Sequence, residues 1–216
     1  KENFPTASVG VLSMEDVVNS ADNPDLDARM DELESEIRDN FSEVSRSAIR
    51  MLPTLQAYAA HYRKFKKTYH VQLQIESVAF KNRGLPRTSA LVSAMFAAEL
   101  KNHLLTAGHD MSTLRPPVVL DVSTGGESYT GMSGKDLTLS PADMFISDKE
   151  GIISSIIYGP DSRTAITPNT SEVLFTVYGP HGISSQQMTS HLKDIRNLVN
   201  LVSPDAHTAW SGVVVG

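Results

Sequence analysis

An α+β fold is predicted by the order in which periodic segments follow one another along the 216 residues. Helical patterns fill most of the first half, and short β-branched runs separated by Gly and Pro follow Pro116-Pro117. One amphipathic helix then comes near the end. Helices, then strands, then a helix is an α+β order, and it disfavours the alternating units of a doubly wound sheet. At this length one compact unit is expected, with residues 1–60 as a strand and helical region packed on a main domain of residues 61–216.

The elements read as follows. Ala7 to Leu12 is a short strand, and Asn19 to Pro24 a polar turn. Asp25 to Phe41 sets Leu26, Met30, Leu33, Ile37 and Phe41 at three- and four-residue steps, one apolar helical face. Pro53 interrupts, Leu55 to Phe65 restarts as a helix, and Gln74 to Arg83 forms another, stopped by Gly84 and Pro86. Thr88-Ser89 offers an N-cap for Ala90 to Leu105, with Gly108 near its other end as a stop. That helix is apolar nearly all round and should be central. Val118 to Val122, Met144 to Ser147, Gly151 to Tyr158 and Glu172 to Tyr178 read as strands. Ser184-Ser185 caps a helix carrying Met188, Leu192, Ile195, Leu198, Val199 and Val202, which Ser203-Pro204 ends.

Composition removes several classes of function. The chain has no Cys, so disulfides, thiolate nucleophiles and Cys-ligated zinc are excluded. Its apolar content of 40% and charged content of 20% are those of a globular protein. No apolar run reaches the length of a spanning helix, because Ala90 to Leu105 is interrupted by Glu99, Lys101, Asn102 and His103. Lys1 to Pro5 lack the basic-then-apolar order of a signal peptide, and a cytoplasmic location is expected. Gly125-Gly126-Glu127 lacks a following Gly-Lys-Ser/Thr, and no G-x-G-x-x-G occurs, so no Gly-rich phosphate loop is expected.

The net charge of −6 conceals a strong asymmetry. Val44 to Ala98 holds nine Lys and Arg against the single acid Glu76, a balance of +8, which leaves −14 for the rest. Within it, His61 to His70 alternates cations with aromatics, a composition suited to stacking on bases and to phosphate contact. Arg63, Lys64, Lys66, Lys67, Lys81, Arg83 and Arg87 are the RNA-contact candidates. The competing reading is a solvated helix end whose lysines favour the negative pole of the helix dipole.

Candidate chemistry clusters in two places. Glu99 and His103 stand four apart and are expected on one helical face, where a carboxylate could orient an imidazole; a polar pair at the edge of the core is the plainer alternative. His109 and Asp110 follow one turn later, Asp110 being of the type that caps turns. These four would suit a divalent ion by type, but no spacing is diagnostic, and neither metal nor cofactor is assigned. The second cluster is Tyr158 to Thr164, with Tyr158, Asp161, Arg163 and Thr164 at a strand exit, where loops commonly carry sites; a turn initiated by Pro160 is the alternative.

Several segments together resemble a known family. They are Leu85-Pro86-Arg87-Thr88-Ser89-Ala90-Leu91-Val92, Leu104 to Leu114, Gly126-Glu127, Gly134-Lys135, Asp148-x-x-Gly151-Ile152, Gly159-x-x-Ser162, and Thr164-x-Ile166-Thr167-x-x-Thr170-x-x-Val173-Leu174-Phe175. Their order and spacing, over about Tyr62 to Val177, resemble the B3/B4 tRNA-editing domain of phenylalanyl-tRNA synthetase beta chains. Freestanding members also carry a helical region with a segment similar to Tyr62-Arg63-Lys64-Phe65. The resemblance implies a β-sandwich or barrel-like core with a central buried helix and flanking helices. It also implies a cleft that hydrolyses mischarged aminoacyl-tRNA, a second sieve of the kind needed when binding alone cannot reject a near-isostere.

Residue by residue, the family's usual His falls on Ala107, its Glu on Thr176, its helix Asn on Phe96 and its Arg on Pro86. Asp110, Gly126, Glu127, Asp148, Gly159 and Thr170 match. The expected partners are therefore tRNA or aminoacyl-tRNA and an amino acid, with neither DNA nor membrane. The activity is either a trans-editing deacylase or, from another class, a non-enzymatic amino-acid or small-molecule binding module on the same fold.

Overall fold

The computed structural model describes residues 8–215; Lys1 to Pro5 and the first residue of the Ala7 to Leu12 strand lie outside them. In chain order the elements are β1 (Ser8–Glu15), α1 (Pro24–Phe41), α2 (Arg46–Ile49), α3 (Pro53–Arg63), α4 (His70–Lys81), α5 (Ala90–Asn102), β2 (Thr106–Asp110), a 3₁₀ turn (Met111–Thr113), β3 (Val119–Val122), β4 (Ser128–Thr130), β5 (Asp136–Thr138), β6 (Met144–Ser147), β7 (Ile152–Ser155), β8 (Gly159–Pro160), β9 (Glu172–Gly179), α6 (Ser185–Val202) and β10 (His207–Val215). The fold is α+β. No helix of the described residues is long and apolar enough to cross a membrane.

Two antiparallel four-stranded sheets form the β layer, one in the order β10-β1-β9-β2 and the other in the order β3-β6-β7-β8, with β4 and β5 as a separate hairpin. β1 is an inner strand: Ser8 pairs with Gly179 of β9 on one side and with Val215 of β10 on the other. On one face of this sheet Gly10 lies under Met188 and Leu192 of α6. On the other face Val11 and Leu174 turn toward Leu120 and Ile146 of the second sheet. The two sheets face each other as a sandwich and do not close into a barrel.

The helices follow their apolar periodicity. Leu26, Met30, Leu33 and Ile37 are the buried stripe of α1, and Pro24 opens it at a position where a missing N–H costs nothing. Pro53 likewise starts α3. α6 carries a complete capping box, with the Ser184 hydroxyl accepting from Gln187 N–H and the Gln187 side chain returning to Ser184 N–H. α5 is buried on nearly every side.

Three expectations are corrected at α5. Its N-terminal N–H groups are capped from a distant turn, by Asn19 Oδ1 on Leu91 N–H at 3.0 Å and by the Ser20 carbonyl on Ala90 N–H at 2.9 Å; the Ser89 side chain makes no cap bond. The helix also stops at Asn102, because His103 takes a left-handed conformation with φ of 60°. Gly108 is therefore no helix stop. It lies within β2, where an added Cβ would come within 2.7 Å of Ile166 Cδ1, so the strand passes too close to its cover for a side chain. Gly151 to Tyr158 also shortens to β7, and Pro160 pairs with Ser154 in β8 instead of opening a free turn.

Candidate functional site

A cleft of about 310 Å³ opens where α5, the edge strand β2 and the β7–β8 segment meet. Met95 and Phe96 of α5, Ala107 of β2, Ser155 and Ile156, Gly159 and Pro160, and Tyr178 supply walls that are mostly apolar. Glu99 lines the same cleft and is 1% exposed. The position of Glu99 follows from where α5 ends: the chain turns back at His103, and Thr106 N–H donates to Glu99 Oε1 at 2.7 Å. Burial raises its carboxyl to about pKa 8, opposed by that one bond. At neutral pH it is therefore a neutral acid, able both to donate and to accept a hydrogen bond.

The expected pairing of Glu99 with His103 is thus replaced. His103 leaves the helix before its ring can stack over Glu99, and its contribution is main-chain: its N–H donates to the Glu99 carbonyl at 2.7 Å, and its own carbonyl accepts from Tyr69 Oη at 3.2 Å. The imidazole that joins this region is His191 of α6, which sequence periodicity reads only as one more helix residue. His191 Nε2 lies 2.7 Å from Thr106 Oγ1, and its Nδ1 lies 3.1 Å from the Asn102 amide nitrogen. Since that amide nitrogen can only donate, Nδ1 accepts and Nε2–H donates to Thr106. Burial holds His191 down at about pKa 3, hence neutral.

The other candidates assemble beside the cleft without lining it. The Thr164 hydroxyl donates to Asp161 Oδ1, so it accepts from His109 Nδ1–H at 2.8 Å. His109 is fully buried, its Nε2 has no partner among the described residues, and burial lowers it to about pKa 4. Arg163 clamps the same loops: it donates to the Thr113 carbonyl at 2.9 Å and to Asp148 Oδ1 at 2.8 Å. Asp110 caps the 3₁₀ turn, accepting from Ser112 N–H at 3.0 Å and from Thr170 Oγ1 at 2.6 Å. His109, Asp161, Arg163 and Thr164 thus form one network that fixes the loop running on through Ala165 and Ile166 to the cleft wall. No group of three or more His, Asp or Glu among the described residues is placed to hold a metal ion, so Glu99, His103, His109 and Asp110 do not form a ligand set.

Of the two family positions expected at one pocket, Ala107 and Thr176 are direct partners in the β2–β9 ladder. Only Ala107 lines the cleft; Thr176 lines a separate cavity between the sheets. Phe96 also lines the cleft.

The cationic segment divides in the same way. Arg87 is held by three acids of α1, with Asp27 at 3.1 Å, Glu34 at 3.2 Å and Asp31. Lys81 and Arg83 sit at the far end of α4, about 17 Å from its start at 1.5 Å per residue. Arg63 and Lys67, with Arg50, Thr68 and Gln72, line a broad groove between α3 and α4. Lys64 and Lys66 are exposed next to them. Lys67 Nζ also stands 4.0 Å from the centroid of the Tyr158 ring, a cation–π contact. Tyr158 immediately precedes Gly159 and Pro160 of the cleft wall, and His70 at the start of α4 lines the cleft as well.

Residues 55–197 match the sequence profile of the B3/4 domain. The chain belongs to the B3/4 domain family. An N-terminal fragment of the phenylalanyl-tRNA synthetase beta-subunit from Pyrococcus horikoshii is similar in structure, with a TM-score of 0.46 and 10% identity over 99% of this chain and 47% of that one. This B3/4 protein therefore spans less than half the length of that fragment. No curated protein matches it.

Proposed function

We propose that this B3/4 protein binds the aminoacyl end of aminoacyl-tRNA, with the amino-acid side chain in the α5–β2 cleft and the RNA backbone on the cationic end of α3. The supporting observation is the place of Lys67, which belongs to the α3–α4 groove with Arg50 and Arg63 and also packs on Tyr158 at the cleft rim. A site that takes an amino acid esterified to RNA needs an apolar pocket next to a cationic rim, and the groove of Arg63 and Lys67 beside the α5–β2 cleft supports that reading. Glu99, neutral within the cleft, is one polar group available to an amino-acid ligand, with His70 and Ser155 beside it.

Neutralising Lys64, Lys66 and Lys67 together is expected to flatten the salt dependence of tRNA binding, each lost phosphate contact removing about 0.7 from the log–log slope on a single strand. A filter-binding series over a range of salt measures it. An unchanged slope would place the RNA elsewhere.

Two readings of the chemistry remain, trans-editing deacylation and binding without turnover. Phe96 and Ala107 in the cleft, where the family's Asn and His are expected, favour binding without turnover. Deacylation here would have to rely on a water positioned by Glu99 and by the substrate's own hydroxyls. The expected outcome of a panel of correctly charged and mischarged tRNAs is protection of the ester, or hydrolysis that Glu99→Gln abolishes. Hydrolysis unaffected by that change would remove Glu99 from the chemistry.

A further inference from the structure

A second cavity, of about 360 Å³, lies between the two sheets at their β10 end. It shares no lining residue with the α5–β2 cleft. Val9 and Val11 of β1, Leu174 of β9, and Leu120 and Ile146 of the facing sheet form its walls. Its size is that of a small-molecule pocket. No titratable side chain among the described residues lines it, so an amino-acid zwitterion, a carboxylate or a phosphate would lose its hydration there without compensation.

One polar side chain faces this apolar surround. Thr176 is 1% exposed, lines the cavity, and its Oγ1 has no hydrogen-bond partner among the described residues. A buried hydroxyl left unpaired costs free energy, and a ligand that pairs it recovers that cost. The mouth is also unusual: Trp210 and Val214 of β10 are 47% and 51% exposed, and Val118 across from them 40%. Large apolar side chains ringing a concave opening mark a binding surface more often than a solvated one. Trp210 stays at the rim because its indole folds over Gly212, where a Cβ would come within 2.8 Å of the ring.

We infer that this inter-sheet cavity is a second binding site, for a small neutral ligand with an apolar body and one hydroxyl or amide that pairs with Thr176 Oγ1. It is distinct from the amino-acid cleft in place and in ligand chemistry, and it stands whether or not the protein binds tRNA.

Trp210 is the only Trp of the chain, so its emission reports on the cavity mouth directly. Benzyl alcohol, toluene and benzoate serve as probes of one size that differ in the polar group. Benzyl alcohol is expected to shift Trp210 emission saturably and to bind about tenfold more tightly than toluene, the worth of one hydrogen bond to a buried partner. Benzoate is expected not to compete. Thr176→Val keeps the shape and removes an unsatisfied hydroxyl, so it should fold at least as stably; it should bring benzyl alcohol down to the level of toluene and leave toluene unchanged. Val11→Phe, which fills the cavity, should weaken both. The proposal is overturned by a linear, non-saturating response to benzyl alcohol, by an unchanged alcohol-to-toluene ratio in Thr176→Val, or by benzoate binding as tightly as the alcohol.

Discussion

Raising the pH from about 6.5 to about 8.5 is expected to cost the wild-type protein about 2 kcal/mol more folding stability than it costs Glu99→Gln. In the unfolded chain Glu99 is ionised across this whole range. In the fold it keeps its proton up to about pH 8, because burial opposes the charge and Thr106 N–H is the one bond that favours it. A carboxyl raised in this way gives its full stabilisation below the unfolded pKa and loses it as pH rises through the folded one. Asp143, also buried and raised to about 7, adds a loss of the same sign that both proteins share. His61, His103, His109 and His191 are all lowered and act oppositely: at pH 6.5 each is still half protonated in the unfolded chain, so each returns about 0.4 kcal/mol by pH 8.5, equally in both proteins. Gln at position 99 can still accept from Thr106 N–H, so the substitution removes the titration and keeps the bond. Urea midpoints measured at intervals across this range test it. A Glu99→Gln curve that runs parallel to the wild type would show that Glu99 is ionised in the fold.

The second large effect is expected at Tyr58. Its hydroxyl donates to the Tyr178 carbonyl and accepts from Leu105 N–H at 3.1 Å, so one side chain of α3 ties together β9 and the start of β2. Its ring also stacks on Tyr69 with centroids 4.3 Å apart. Tyr58→Phe keeps the stack and strands a buried N–H and a buried C=O, at a cost of about 2–4 kcal/mol. Tyr62→Phe is the control: the Tyr62 hydroxyl serves only the Ile156 carbonyl, at 2.6 Å, and its loss should cost about 1 kcal/mol. Thermal melts of the two variants should therefore differ by several degrees. Equal melts would mean that Leu105 N–H finds another acceptor in the variant.

How far the sequence could be read depends on where the physical signal sits. The stripe of α1 and the capping box of α6 are local patterns, and both are observed as expected. β2 was not legible, because Thr106-Ala107-Gly108-His109-Asp110 has little β-branched content and begins only four residues after α5 ends. What makes it a strand is its ladder with β9, a partner more than sixty residues away. β10 is not legible for a similar reason, since Trp210-Ser211-Gly212 interrupts its β-branched run and the ladder with β1 is what makes it a strand. At the site, Glu99 drew attention by its charge on an apolar helix. Its true partner, Thr106, could not be seen, because nothing in the type of His103 announces a left-handed residue there. The cleft walls, Phe96, Ala107 and Ile156, carry no chemical signature at all. Of the cations, pairing decided the outcome: Arg87 is occupied by α1, while Arg63 and Lys67 face a groove.

The position of β1 bears on the order in which the protein is assembled. Its neighbours are β9 and β10 alone, and Ser8 meets Gly179 across 171 positions of chain. During synthesis this strand emerges first among the described elements and can complete no ladder until nearly everything else has been made. Closing so long a loop is slow, and the waiting strand is a bare edge, Val9 to Leu12, open to pairing with another nascent chain. Slow refolding with losses that grow with protein concentration is the kinetic signature such a topology carries.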